Sequence, residues 1–154
     1  MEEGLGWEHG VQFVCLAFQN SSAHLIDGYT IHSWAQIDMC QSIASHAAKP
    51  RTKADELRSK FQALRVVVID EIGMVGAKLL GQLEHRLQEM MSERDTYKLR
   101  ENIRKGGQTL RKFGGVNLIM LGDFWQIPPI GGTALSSNIR NADPGCEQNA
   151  MEVW

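Results

Sequence analysis

Val66-Val67-Val68-Ile69-Asp70-Glu71 sets four β-branched residues in a row and closes them with two adjacent carboxylates. Nearly continuous apolarity from Leu64 to Ile69, interrupted only by Arg65, is the pattern of a strand covered on both faces, because a half-solvated strand would alternate. A second run of this kind, Val116 to Asp123, again ends on an acidic residue. A weaker one, Val11 to Ala17, supplies a third candidate strand. Between the two strong runs, Leu80, Leu83, Leu87 and Met90 recur at helical spacing, with Glu84, Arg86, Gln88 and Glu89 on the remaining positions. That segment predicts an amphipathic helix with those polar residues turned outward. Strand, helix, strand in this order gives an α/β fold: a parallel sheet with helices on both faces. Sheets of this type bind ligands beyond the carboxyl ends of their strands, which is where the acidic residues stand.

The wider chain sets bounds on function. Its 154 residues, 43% hydrophobic, suffice for one core. Sixteen basic against eighteen acidic residues give a formal charge of -2, so no whole-chain basic field attracts nucleic acid and any such contact is local. The apolar runs are far shorter than the roughly 20 residues that cross a bilayer, so no membrane is expected. Met1-Glu2-Glu3-Gly4 has neither the basic start of a secretory signal nor the arginines of a transit peptide. Cys15, Cys40 and Cys146 are odd in number and scattered, which suits plain thiols in a reducing compartment. From Glu93 to Lys112 seven basic residues face three acidic ones, a local excess of four. That run fits a phosphate-contacting face, and equally a solvated helix and loop.

Asp70 and Glu71 have complementary chemistry. A carboxylate at the strand end can hold a hard cation through oxygen. Its neighbour points elsewhere and can polarise an attacking water. The pair alone fits solvated loop residues or a helix cap as well. Leu121-Gly122-Asp123-Phe124-Trp125-Gln126-Ile127-Pro128-Pro129 narrows the choice. Gly122 permits unusual backbone angles, the two prolines stiffen the exit, and the Gln126 amide can donate to a phosphate oxygen or accept from water. The plainer alternative is a loop whose Phe124 and Trp125 fill the core.

Val66 through Val75, and Phe113-Gly114-Gly115-Val116 through Ile130, resemble motifs II and III of the Pif-type, RecD-like helicases of superfamily one. Gly28-Tyr29-Thr30-Ile31-His32-Ser33-Trp34 resembles the end of that family's motif Ia. The resemblance implies a partial RecA-like P-loop NTPase domain over residues 1–130; residues 131–154, rich in Gly, Ser, Asn and Asp and containing Pro144, read as a loop or frayed end. It implies an ATP-dependent DNA helicase moving 5′ to 3′, with roles in repair, recombination and telomere maintenance. Asp70 would coordinate the Mg2+ of bound ATP, Glu71 would orient the hydrolytic water, Gln126 would sense the terminal phosphate and Asp123 would support that site. His32, Ser33 and Trp34 would lie along single-stranded DNA, the hydroxyl and imidazole on its backbone and the indole stacked on a base. The compartment implied is nucleus or mitochondrion in a eukaryote and cytoplasm otherwise.

Departures from the family pattern are equally specific. Where the family runs Ala-x-Thr-Gly-x-Ala-Ala, this chain reads Ala17-Phe18-Gln19-Asn20-Ser21-Ser22-Ala23. Gly73 stands where the family has Ser. Residues 1–154 contain no Gly-x-x-x-x-Gly-Lys-Ser/Thr loop to hold phosphates, nor a second motor domain with its arginine. The expectation is an incomplete motor core, inactive without that loop. The rival expectation is a non-catalytic truncated product that at most binds DNA or a partner.

Overall fold

The computed structural model describes residues 1–37, 61–91, 99–102, 107–130 and 132–137. After a short helix α1 (Glu2–Leu5), the chain enters β1 (Phe13–Ala17), α2 (Asn20–Leu25), β2 (Tyr29–Thr30) and α3 (Ile31–Ala35). Strand β3 (Val66–Asp70) leads through a 3-10 turn (Ile72–Met74) into α4 (Ala77–Met90). An antiparallel hairpin of β4 (Leu99–Asn102) and β5 (Gly107–Leu110) precedes β6 (Asn117–Met120). Over residues 99–102 and 107–110 the pair of strands stands where a solvated helix is one of the two readings of the basic run. The polar stretch Ala47 to Ser59, whose Pro50 and mixed charges suggest a loop running into a short helix, lies outside the described residues.

Four parallel strands form the sheet in the order β2-β1-β3-β6. The α/β expectation with its parallel sheet therefore holds. Registers Ala17 opposite Asp70, Ala17 opposite Thr30 and Ile69 opposite Met120 bring every strand to its carboxyl end at one edge. Alternation then divides the side chains. Val14, Leu16, Val67 and Ile69 are fully buried in one cluster with Ile31 and Trp34 of α3 and Leu80, Leu83 and Leu87 of α4. Each such aliphatic side chain contributes about 1.5–3 kcal/mol on leaving water.

The other face is less covered than two-sided apolarity implies. Phe13 and Cys15 border a pocket with Glu2, His9, Ile26 and Asp27, whereas Ile119 of β6 is 42% exposed. Strand β6 is also shorter than the run Val116 to Asp123, and Gly122, two residues past its end, adopts a φ of 150°.

Two further expectations need correcting. Glu84 and Arg86, assigned to the outer face of α4, are buried. The helix is gripped from more than one side, so a single apolar stripe understates its buried surface. Leu135, in the stretch read as loop or frayed end, is 3% exposed and belongs to the core. Thr133 accepts a hydrogen bond from the Ala77 amide at 2.8 Å, and Ala134 bridges to Gly76, which draws residues 132–137 against the start of α4. One leucine among polar residues has no periodicity from which to read this. Among the described residues no helix is long and apolar enough to cross a membrane.

Candidate functional site

Asp70 is the last residue of β3, and its carboxylate Oδ1 accepts the Glu71 backbone N–H at 2.9 Å. Glu71 then turns into the left-handed region, φ 54° and ψ 44°, a conformation that costs a non-glycine residue about 1–2 kcal/mol. The turn is locked on both sides. Met74 N–H donates to the Glu71 carbonyl at 3.0 Å, and Ile72 N–H donates to Leu121 at 2.9 Å. Leu121 N–H in turn donates to Ile69 at 2.8 Å. The segment after β3 and the segment after β6 are therefore stitched together by backbone, and the two acidic strand ends form one edge.

Glycines make this approach possible. A Cβ on Gly122 would stand 2.8 Å from the Ile72 nitrogen, and one on Gly73 would stand 2.7 Å from the Asp123 carbonyl oxygen. Gly73 is thus more than a missing hydroxyl: the loop beyond β6 lies where its side chain would be. Past Gly122, Asp123 folds the chain into a turn, its Oδ1 accepting from Trp125 N–H at 2.8 Å and its carbonyl from Gln126 N–H at 3.3 Å. Gln126 is exposed, Phe124 is 42% exposed and Trp125 97% exposed. The alternative in which both aromatics fill the core fails.

On the β1 side of Asp70, Ser22 of α2 donates its hydroxyl to Glu71 Oε2 at 2.7 Å. Neither Ser22 nor Arg86 was singled out from the sequence. Arg86 reaches from α4 to the end of α3, donating from Nε to the Ala35 carbonyl at 3.1 Å and from Nη2 to Gln36 at 3.4 Å. Its Nη1 pairs with Glu89 at 2.8 Å. A guanidinium on the last carbonyls of a helix satisfies acceptors that the helix cannot. Arg86 is one of several polar residues on an amphipathic helix and carries no distinguishing local signal; nor does Ser22, whose partner is 49 residues away.

The expected DNA-facing residues separate. Thr30 caps α3, its Oγ1 accepting from Ser33 N–H at 3.2 Å and bonding the Ser33 hydroxyl at 2.8 Å. Ser33 is exposed, and His32 is half-buried with its ring edge-on to Phe18 at 6.1 Å. Burial holds the His32 imidazole below its ordinary value of 6.5, so it is neutral at physiological pH and can offer a hydrogen bond rather than a charge. Trp34 is different. It is 7% exposed and packs edge-on against Phe61 at 4.6 Å, so its ring fills the core and cannot stack on a base. The apolar spacing of Ile31, Trp34 and Ala35 on one helical face accounts for this. Burial also pushes the Cys15 thiol up, with the amino terminus opposing and the Asp70 carboxylate adding, which leaves it a plain thiol. Of the basic run, Arg111 and Lys112 are exposed.

Among the described residues no three His, Cys, Asp or Glu side chains converge as a metal cage. A single strand-end carboxylate nevertheless suits Mg2+, which keeps several waters and takes one or two carboxylates alongside phosphate oxygens.

A family model described as "PIF1-like helicase" matches residues 14–143. The chain is 32% identical over 105 residues to the ATP-dependent DNA helicase PIF1 of Emericella nidulans, covering 68% of this chain and 12% of that one. It is 29% identical over 106 residues to the Pif1 helicase of Psychrobacter, covering 69% and 14%. Among solved structures it resembles the Pif1 helicase of Candida albicans, with 28% identity and a TM-score of 0.56 over 78% of this chain and 24% of that one. A Bacteroides Pif1 bound to single-stranded DNA shares the fold at 22% identity and a TM-score of 0.57. The chain thus spans about an eighth of the length of these two curated relatives.

Proposed function

The chain belongs to the PIF1-like helicase family, and from that premise we propose that it forms part of the first motor domain of an ATP-dependent DNA helicase. The observation that supports this most is the shared edge: Asp70-Glu71 after β3 and Gly122 to Gln126 after β6, joined through Ile72, Leu121 and Ile69. In this reading Asp70 holds magnesium bound to ATP, Glu71 orients the attacking water, Gln126 contacts the terminal phosphate and Asp123 shapes the turn that presents it. Magnesium supplies Lewis acidity at the phosphates when bound. His32 and Ser33, in α3 just past the end of β2, contact the backbone of single-stranded DNA. Movement from 5′ to 3′, work in repair, recombination and telomere upkeep, and a nuclear, mitochondrial or bacterial cytoplasmic setting complete the proposal.

The test is ATP hydrolysis by the complete gene product with and without Mg2+ and oligothymidylate. The reading expects magnesium-dependent hydrolysis that DNA stimulates and that Glu71→Gln abolishes while the protein stays folded. No hydrolysis by the folded wild type, with or without DNA, would instead establish the non-catalytic alternative.

A further inference from the structure

Ser22 lies in the stretch Ala17 to Ala23, where the family pattern given above has Ala at the corresponding position. Its hydroxyl is therefore an addition in this chain, and the structure gives it a definite use. The 2.7 Å bond to Glu71 Oε2 crosses from α2 to the end of β3 and draws the carboxylate toward the β1 side of the edge. Asp123 and Gln126 lie on the opposite side, since β3 separates β1 from β6 in the sheet. A carboxylate that accepts from Ser22 in this way is turned away from the side on which the phosphate-sensing residues stand.

The other end of the connection runs to the DNA-facing segment. Gly28 N–H donates to the carbonyl of Ala23, the residue after Ser22, at 2.8 Å. Gly28 also passes so close to Cys15 that a Cβ there would come within 2.4 Å of its carbonyl oxygen, which leaves the turn after α2 no slack. The next two residues, Tyr29 and Thr30, pair as β2, and Thr30 caps α3, which carries His32 and Ser33. His32 touches Phe18, four residues before Ser22. A displacement of α3 is therefore passed to α2 by backbone on one path and by ring contact on the other.

We propose that Ser22 is a positioning residue that latches Glu71 while the DNA-facing segment is empty and releases it when single-stranded DNA displaces α3. This rests on the functional reading above, because it presumes that Glu71 orients water and that His32 and Ser33 face DNA. By linkage, whatever DNA does to the latch, the latch does to DNA affinity. Losing the hydroxyl removes the latch. Threonine retains a hydroxyl at the same atom.

The test follows the Glu71 side-chain carboxyl by 13C NMR in the protein labelled at glutamate, its signal assigned by its disappearance in Glu71→Gln. Without DNA, Ser22→Ala is expected to shift that signal and Ser22→Thr to leave it near the wild-type position. Oligothymidylate is expected to move the wild-type signal toward the Ser22→Ala position and to leave the Ser22→Ala signal where it is. In the complete gene product, Ser22→Ala should raise DNA-free ATP turnover by about fivefold, the shift that one ordinary hydrogen bond sustains, and lower stimulation by DNA in proportion. A Glu71 signal identical in wild type and Ser22→Ala overturns the proposal, as does oligothymidylate that binds wild type without moving it. These outcomes leave the functional reading standing. Failure of the wild type to bind oligothymidylate at all overturns both, and so separates the two failures.

Discussion

Replacing Gly73 by serine returns the residue that the family pattern carries, yet the geometry here predicts harm. A Cβ at this position would stand 2.7 Å from the Asp123 carbonyl oxygen, 3.4 Å from its carbon and 3.7 Å from the Phe124 Cα. Real Cβ contacts essentially never close below 3.0 Å, so the loop beyond β6 must retreat by at least the difference, about 0.3 Å. The obstructing atom is backbone, and the Ile72 to Leu121 and Leu121 to Ile69 hydrogen bonds tether the same loop, so it cannot step aside alone. Overpacking of this kind costs about 1–3 kcal/mol. In a domain of this size that lowers the thermal midpoint by roughly 2–4 °C for each kcal/mol. Urea denaturation of wild type, Gly73→Ser and Gly73→Ala should show both variants with lower midpoints, equal slopes and losses within a few tenths of a kcal/mol of each other. The shared Cβ, rather than the hydroxyl, sets the cost. A serine variant as stable as wild type, or clearly more stable than the alanine variant, would refute the steric reasoning and restore a hydroxyl role at this position.

Arg86→Met keeps the stem of the side chain and removes the donors to the Ala35 and Gln36 carbonyls; a loss of about 1–3 kcal/mol by urea unfolding is expected, and an unchanged midpoint would mean that water replaces the guanidinium without penalty. Trp34→Ala should cost about 3–5 kcal/mol, a core effect seen in the absence of any DNA, whereas wild-type stability would put the ring back on the surface. His32 has a folded value below its unfolded one, so the unfolded chain takes up its proton first as pH falls. Stability from this group is complete above about pH 6.5 and declines below it until the folded value is passed. Unfolding midpoints at about pH 7.5 and about pH 5.5 should therefore differ more in wild type than in His32→Gln; equal differences would show that His32 does not contribute.

Much of the fold was legible because it depends on patterns within a few residues. The continuous apolar run ending at Asp70 and the stripe from Leu80 to Met90 each contain their own periodicity, and both became the expected strand and helix. What escaped was set by partners distant in sequence. Arg86 is buried because the end of α3, about 50 residues earlier, presents carbonyls to it. Leu135 is core because residues 132–137 pair back to Gly76 and Ala77. Within the site, the meeting of the Asp70-Glu71 and Gly122-Asp123 segments was legible as two strand ends on one edge, because parallel topology requires it. The direction of the Glu71 carboxylate was not, since it depends on the hydroxyl of Ser22 in α2, 49 residues earlier. Trp34 differs: the motif suggests a surface role, whereas its apolar spacing with Ile31 and Ala35 and its packing on Phe61 turn the ring inward.

The proposed division of labour between Asp70 and Glu71 is tested most directly by binding of Mn2+ with ATP, followed by the electron paramagnetic resonance of the metal. In the complete gene product, Asp70→Asn should lose the metal-nucleotide signal of the bound complex, whereas Glu71→Gln should keep it while hydrolysis disappears. Equal binding by wild type and Asp70→Asn, or equal loss in both variants, would contradict the assignment of metal to the first carboxylate and water to the second.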